Sequence, residues 1–422
     1  MVVNGAAYTD LQCATEALRY NRRDADGWLN LAAKMSNSET VDIDGKHFTK
    51  QDCRREALSC DNRTVAWTSF GESMNSTETI ELDGAEYTRR QCFLEALRCD
   101  PDNAIAWEKL GNTLDRKPKE TVSVNGKLYD EQQCYIEALR CEPNSLCGWY
   151  NLSNTMHSRA TVLVNGAVYT RLQCSLEAVR CNPNDCDMWN NLGEDVSGNE
   201  TVVFDGRHLS RMNCFQEALR CDPNIASVWN RLGKAMNGNQ IALVNGKDYT
   251  KCDCYVEALR CDPNDSCPWN NLGVHMSADQ TVAINGKAYT KQECYLEALR
   301  CQTDYAHAWN GLGRTLSPHG DVDVNGKRCS KHQCYLEALR CNPNYGHAWL
   351  NLGVNMTKGE IVAVGDGKEY TQQQCYLEAL RCDHTHTSAW KLLGGTLTER
   401  QTVVVNGRTV DKNECRRRAR NE

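Results

Sequence analysis

Residues 281–300, TVAINGKAYTKQECYLEALR, and residues 309–313, WNGLG, together show the pattern from which the whole chain is built. The first stretch opens with two short β-prone runs around an Asn-Gly pair at Asn285. Asn-Gly favours a type I′ hairpin turn, because both central residues of that turn need positive φ. Thr290 follows as a predicted helix N-cap, with Glu293 three residues later as in a capping box. We call the helix that begins there helix B.

The second stretch belongs to another helix, called helix A, whose motif is W-x-x-L-G. Trp309 and Leu312 are three residues apart and therefore share one face, and Gly313 is expected to let a neighbouring helix approach closely. The motif recurs, and its tryptophans, the predicted structural core, are Trp28, Trp67, Trp107, Trp149, Trp189, Trp229, Trp269, Trp309, Trp349 and Trp390. Such regular self-similarity predicts one quasi-linear array instead of separate globules.

The hairpin turn recurs with the tryptophans. Asn or Asp precedes Gly at Asn4, Asp44, Asp83, Asn125, Asn165, Asp205, Asn245, Asn285, Asn325, Asp366 and Asn406. The two residue types alternate freely there, which indicates a turn and not a catalytic carboxylate. Many B helices are followed by Asp-Pro or Asn-Pro, and the proline ends a helix because it lacks the N–H donor.

This order of elements resembles the tetratricopeptide repeat. In one unit the positions that carry the resemblance are Trp269, Leu272 and Gly273 of helix A, then Tyr295 and Ala298 of the following helix B. The period is longer than the roughly 34 residues of that family, because a β-hairpin is inserted between helix A and helix B. The resemblance implies a non-catalytic array that binds proteins.

The predicted fold is therefore mainly α: an α-solenoid of tetratricopeptide-like helix pairs with a short β-hairpin in each repeat. We expect a single array over residues 1–422, of about ten and a half units. Residues 1–27 are predicted to form a hairpin plus a helix B, and residues 400–422 a hairpin plus a degenerate capping helix. The latter carries a basic run of Arg416, Arg417, Arg418 and Arg420, interpreted as a solvated terminal helix, with an anionic partner as the alternative.

Composition excludes several function classes. The net charge of -7 gives no basic footprint for nucleic acid, and no run approaches the ~18 apolar residues of a membrane helix. Nucleotide-binding, hydrolase-elbow and zinc-protease motifs are absent from the sequence. Cys382, His384 and His386 form a C-x-H-x-H run in one copy, interpreted as a polar loop. We predict no enzyme activity, no cofactor and no metal.

Most of the 25 cysteines occupy two fixed positions of helix B. The first cysteine row is Cys13, Cys53, Cys92, Cys134, Cys174, Cys214, Cys254, Cys294, Cys334, Cys375 and Cys415. The second cysteine row, seven residues later, is Cys60, Cys99, Cys141, Cys181, Cys221, Cys261, Cys301, Cys341 and Cys382. Seven helical residues span roughly 10 Å, too far for a disulfide within one helix.

Members of the two rows from Cys53 to Cys341 are therefore candidates for disulfides between repeats, such as Cys294 with Cys341 or Cys301 with Cys334. Buried free thiols are the alternative, and a metal cluster is disfavoured because the spacing fits no known zinc or iron–sulfur pattern. A high cysteine content favours an oxidising compartment.

Glycosylation sequons also favour an oxidising, extracellular compartment. Those in predicted loops, and hence candidates for N-linked glycans, are at Asn62, Asn75, Asn199 and Asn264. The absence of a recognisable signal peptide argues for the cytosol instead. The prediction leans to an extracellular or cell-surface location, with the cytoplasm as the alternative.

Two functions are compatible with this sequence. The leading prediction is a structural scaffold, the self-associating subunit or segment of an extracellular filament or surface fibre. The alternative is an intracellular adaptor that binds a peptide or helix of a partner protein. An adaptor should carry an off-consensus patch on adjacent A helices. The variation among copies is scattered in the sequence, which favours the filament.

Overall fold

The computed structural model describes residues 2–3, 6–7, 9–36, 39–60, 63–82, 84–114, 119–365 and 367–420. The chain divides into two compact units, residues 1–214 and 215–422, called the first and second unit. Helices dominate both units, and each strand pairs only within its own two-stranded hairpin among the described residues. The predicted mainly α fold, with one hairpin between each helix A and the following helix B, is confirmed.

The elements of the described residues alternate regularly. The B helices are α1 (Asp10–Tyr20), α3 (Lys50–Ser59), α5 (Arg89–Cys99), α7 (Glu131–Cys141), α9 (Arg171–Cys181), α11 (Arg211–Cys221), α13 (Lys251–Cys261), α15 (Lys291–Cys301), α17 (Lys331–Cys341), α19 (Gln372–Cys382) and α21 (Lys412–Ala419). The A helices are α2 (Ala25–Lys34), α4 (Arg63–Ser73), α6 (Ala104–Gly111), α8 (Leu146–Thr155), α10 (Cys186–Asp195), α12 (Ala226–Ala235), α14 (Ser266–His275), α16 (Ala306–Thr315), α18 (Gly346–Asn355) and α20 (Thr387–Thr396).

The hairpin strands are β1 (Val2–Val3), β2 (Ala6–Ala7), β3 (Thr40–Ile43), β4 (Lys46–Thr49), β5 (Thr79–Leu82), β6 (Ala85–Thr88), β7 (Val122–Val124), β8 (Lys127–Tyr129), β9 (Thr161–Val164), β10 (Ala167–Thr170), β11 (Thr201–Phe204), β12 (Arg207–Ser210), β13 (Ala242–Val244), β14 (Lys247–Tyr249), β15 (Thr281–Ile284), β16 (Lys287–Thr290), β17 (Asp321–Val324), β18 (Lys327–Ser330), β19 (Ile361–Val364), β20 (Lys368–Thr371), β21 (Thr402–Val405) and β22 (Arg408–Asp411). Within each unit, a helix A packs most extensively on the helix B that follows its hairpin.

The hairpin turns have the predicted backbone conformation. In one turn Asn285 has φ 51° and Gly286 has φ 82°, between the paired residues Ile284 and Lys287. Asn4, Asp83 and Asp366 lie outside the described residues, and the other eight Asn or Asp turn residues all have positive φ. The asparagine also does more than turn the chain, since Asn325 Nδ2 donates to Leu299 O of the preceding helix B at 3.3 Å. Each such bond joins a hairpin to the preceding helix B.

The predicted capping box is confirmed at the start of helix B. The backbone N–H of Glu293 donates to Thr290 Oγ1 at 3.2 Å, and Glu293 Oε2 accepts from the Thr290 backbone N–H at 2.8 Å. Two of the unpaired donors of the helix terminus are thereby satisfied. The hairpin therefore leads directly into helix B without an intervening loop.

The ten tryptophans are buried, with exposed fractions between 0 and 9 %. The indole of Trp269 packs on the hairpin ring of Tyr289 with a centroid separation of 4.8 Å. Its Nε1–H donates to the carbonyl of Pro263 at 3.0 Å, which satisfies the one polar atom of the buried indole. Trp269 therefore joins the hairpin, helix A and the proline turn of its own repeat.

The glycine of the W-x-x-L-G motif faces an aromatic ring of helix B. A Cβ at Gly313 would lie 2.7 Å from Cε1 of Tyr335, and one at Gly273 would lie 2.7 Å from Cε1 of Tyr295. Real atoms do not approach so closely, so the ring requires glycine at this position. We call this pair of positions, four residues after Trp on helix A and one residue after the first-row Cys on helix B, the ring site.

The predicted disulfides between repeats are not supported, because all 25 cysteines are free. The first row lies in the core: Cys294 Sγ is 3.7 Å from Met276 Sδ, and burial raises the pKa of the Cys294 thiol to about 12. The second row lies at the proline turn of the preceding copy, where Cys301 Sγ is 3.7 Å from Pro263 O. Cys294 and Cys301 therefore contact different partners.

Candidate functional site

The structure leaves the predicted C-x-H-x-H run in a connection between helices. Cys382 is the last residue of α19, His386 is the N-cap residue of α20, and the carbonyl of His384 accepts from Trp390 Nε1 at 2.8 Å. The run thus takes the place of the proline turn. Its first and last members are not brought together as metal ligands, since among the described residues the only convergent group of that kind is Asp185, Cys186 and Asp187.

That acidic group already has a structural role. Asp185 Oδ1 accepts from the backbone N–H groups of Asp187 and Met188 and so caps α10. Acidic residues at a helix N-terminus are also stabilised by the helix dipole. The group therefore belongs to the fold of the repeat.

The A helices of the second unit carry a series of polar side chains. A series of asparagines, one or two residues after the tryptophan, forms what we call the amide row: Asn230, Asn270, Asn271, Asn310 and Asn351. Asn271 Nδ2 donates to Asn230 Oδ1 at 2.8 Å, and Asn351 Nδ2 donates to Asn310 Oδ1 at 2.8 Å. Each bond joins one A helix to the next A helix along the chain.

One acceptor in the amide row is unmet. Asn270 is 5 % exposed, and its Oδ1 has no hydrogen-bond partner among the described residues. The reason is that α16 has Gly311 at the position that Asn351 occupies in α18, so no side-chain donor is available. A Cβ at Gly311 would overlap the ring of Tyr295. Leaving a buried acceptor unpaired costs about 1–3 kcal/mol.

A second series lies at the starts of α16, α18 and α20. This ring row consists of Tyr305, His307, Tyr345, His347 and His386. Its rings follow one another with centroid separations of 5.8, 4.6, 5.9 and 5.1 Å. Such distances are typical of interacting aromatic rings. The rows meet where Asn310 Nδ2 donates to the hydroxyl oxygen of Tyr345 at 3.4 Å.

The ring row is accessible, and the imidazole of His347 is uncharged at neutral pH. His307 and His347 are exposed. The pKa of His347 is lowered first by partial burial and then by the nearby His386, Arg314 and His307, while Asp383 acts in the opposite direction. A neutral imidazole offers one donor and one acceptor nitrogen.

Two A helices of the first unit, α4 and α6, carry charged side chains on this face. Lys109 Nζ lies 3.3 Å from Glu72 Oε1 and 3.9 Å from Glu108 Oε1. Glu108 is 8 % exposed, and burial raises its pKa. Equivalent positions on different A helices therefore carry either amide or charged side chains.

Sequence reasoning missed both rows. The variation among copies is not scattered there, because three successive A helices carry the ring row. The available signals were the repeated Tyr-x-His at Tyr305 and Tyr345, and the Asn next to Trp in four consecutive copies, the last at Asn310. They were overlooked because a short polar variant looks like loop variation until neighbouring repeats are aligned.

The predicted glycan sites remain predictions. Asn75, Asn199 and Asn264 are exposed residues outside helices and strands, whereas Asn62 lies outside the described residues. None of the described helices combines the length and the apolar character needed to cross a bilayer.

Comparison with known proteins identifies the repeat. A tetratricopeptide repeat profile matches residues 92–133, a range that contains α6 and its hairpin, and the resemblance to this repeat is confirmed. No curated protein matches the chain.

Three solved structures are similar to this chain. YrrB, a TPR protein with an unusual peptide-binding site, is 14 % identical over 52 % of this chain and 96 % of its own, with a TM-score of 0.33. Yeast Tom70 is 12 % identical over 91 % and 80 %, with a TM-score of 0.35. The APC/C hetero-tetramer Cut9-Hcn1 is 13 % identical over 91 % and 65 %, with a TM-score of 0.35.

Proposed function

Starting from a chain built of tetratricopeptide-like repeats, we propose that it is an adaptor that binds an extended segment of a partner protein along the helix-A face of the second unit. The observation that carries this proposal is the coincidence of the amide row and the ring row on consecutive A helices. The ring-row residues differ from most copies of the repeat and yet lie side by side, which the packing of the repeat does not explain.

The chemistry of the two rows suits a polypeptide backbone. A primary amide has two N–H donors and one carbonyl acceptor, and an extended segment presents the same groups in regular alternation. Exposed apolar side chains lie on the same helices, since Val274 is 54 % exposed and Val354 is 55 % exposed. Together these side chains offer hydrogen bonds for a main chain and contact area for its side chains.

The length of the segment follows from helix spacing. Packed helices lie about 8–10 Å apart, so the three steps from α12 to α18 cover roughly 30 Å. An extended chain rises about 3.3 Å per residue. We therefore expect a bound segment of about ten residues.

The filament predicted from the sequence finds no support. Its disulfide ladder has no support in this structure, where the cysteines are free, and the ring row is an off-consensus patch of the kind expected for an adaptor. We therefore prefer the adaptor to the filament.

A displayed library of random peptides of about twelve residues, selected on the full chain, tests the proposal. Affinities of the selected peptides should fall about tenfold or more in His307→Ala and His347→Ala, which change two exposed imidazoles of the ring row. His208→Ala changes an exposed imidazole on the hairpin strand β12 and serves as the matched control. Selected peptides that are insensitive to both face variants would contradict the proposal.

A further inference from the structure

One ring site of the first unit combines two residues that most copies lack. Most copies place Tyr or Phe on helix B against Gly on helix A, but here Arg54 occupies the ring position and Ala32 the glycine position. A cavity of about 660 Å³ adjoins this site, among α2, α3 and α4. Its lining includes Arg54, Lys50, Ser69 and Asn30.

The donors in this cavity have no partners in the part of the chain that the structure describes. Arg54 is only 7 % exposed, and neither a hydrogen bond nor an ion pair to its guanidinium is present there. The same holds for Lys50 Nζ, the hydroxyl of Ser69 and the amide of Asn30. A buried guanidinium stays protonated and loses hydration, so it is costly unless an anion approaches it.

Carboxylates lie at the edge of the same cavity. Asp26 and Glu78 also line it, and both are exposed. Neither carboxylate lies within ion-pair distance of Arg54. Burial lowers the pKa of Arg54, and the negative charge of Glu78 raises it. The cavity thus combines a buried cation with an exposed acidic rim. The rim repels an anion that stays at the edge of the cavity, whereas Arg54 attracts an anion that enters it.

We propose that this cavity is a binding site for a phosphate group, held by Arg54 and Lys50 with Ser69 and Asn30 as neutral donors. The planar guanidinium can hold two phosphate oxygens at once, and the ammonium, hydroxyl and amide donors suit the remaining ones. This site lies in the first unit and is independent of the proposed peptide face. The phosphate can come from free inorganic phosphate or from a phosphorylated side chain.

Calorimetric titration of the full chain with inorganic phosphate, and separately with a phosphoserine peptide and its unphosphorylated twin, tests this site. We expect phosphate-dependent binding that weakens at least about tenfold in Arg54→Met. Arg90→Met is the matched control, because that guanidinium is already paired with Glu120 at 2.6 Å, and it should leave binding unchanged. If only the phosphoserine peptide binds, the phosphate comes from a phosphorylated side chain. If inorganic phosphate binds as well, the site accepts free phosphate.

A second variant keeps the test valid if Arg54→Met misfolds. Arg54→Tyr combined with Ala32→Gly restores the ring against glycine found in most repeats, so it should fold and should not bind phosphate. Glu78→Gln should strengthen phosphate binding, because it removes a negative charge from the rim. The proposal is overturned if neither phosphate ligand binds, if binding survives loss of Arg54, or if Glu78→Gln destabilises the chain and leaves phosphate affinity unaltered.

Discussion

The ring site has opposite chemistry in two repeats of this chain. In the second unit, Gly313 leaves room for the ring of Tyr335, which is 3 % exposed. In the first unit, the equivalent residues are Ser153 and Ser175, both fully or almost fully buried at 0 and 1 % exposure. Asn191 Nδ2 lies 3.2 Å from both serine hydroxyl oxygens.

The polar version includes a partly buried ion pair. The hydroxyl of Ser175 donates to Asp195 Oδ2, and Arg171 Nε lies 2.6 Å from Asp195 Oδ1. Both positions hold serine, and both hydroxyl groups have hydrogen-bond partners. The comparison shows that the two residues at this site must suit each other, either as glycine and a ring or as two hydrogen-bonded serines. Arg54 opposite Ala32 fits neither combination.

The largest effect is expected when the polar residue is placed in the apolar version. Tyr335→Ser removes the ring and leaves a hydroxyl without the partners that Ser175 has, so α16 and α17 should lose about 3–5 kcal/mol of local stability. Hydrogen exchange of those helices measures this, since repeat arrays need not unfold in one step. Tyr20→Ser, at a site 91 % exposed, is the control. Equal protection in both variants would refute the role of the ring.

The reciprocal exchange should cost less. Ser175→Tyr forces a ring against the side chain of Ser153, and overpacking of this kind costs about 1–3 kcal/mol. Adding Ser153→Gly should recover about 1 kcal/mol or more of that loss, because glycine admits the ring. A double-mutant cycle on the local stability of α8 and α9 provides the measurement. Strictly additive effects would show that the two positions are not a pair.

Features fixed by neighbouring residues were predictable from the sequence. The turn at Asn285, the cap at Thr290 and the helix that carries Trp309 each depend on a few consecutive residues. They repeat in every copy, so the helix order and the inserted hairpin could be derived without coordinates.

Features that depend on contacts between copies were not predictable. Cysteine spacing alone could not show that Cys294 meets Met276 or that Cys301 meets a backbone carbonyl, because both contacts depend on how the helices tilt. The ring row and the amide row likewise become visible only when side chains some 40 residues apart, such as His307 and His347, are placed side by side.

The polar and apolar alternatives can also be compared within the amide row. Asn310→Leu should cost about 1–2 kcal/mol, because Asn351 loses the acceptor for its amide N–H. Asn270→Leu should cost less than about 0.5 kcal/mol or stabilise the chain, because the unmet Oδ1 disappears. Urea unfolding of the two variants under one set of conditions checks the difference. A larger loss for Asn270→Leu would mean that its oxygen has a partner in solution.

The smallest effect concerns the pH dependence of the polar version. Burial raises the pKa of Asp195, although the hydrogen bond from Ser175 and the charge of Arg171 oppose the rise. A carboxyl whose pKa is higher in the folded state favours folding most when it is protonated, so this contribution is complete below the ordinary Asp pKa and is lost as pH rises through the folded value. The first unit should therefore gain stability relative to Asp195→Asn on acidification from neutral pH. Hydrogen exchange of α9 and α10 at several pH values measures it, and parallel profiles for the two proteins would contradict the buried-carboxyl account.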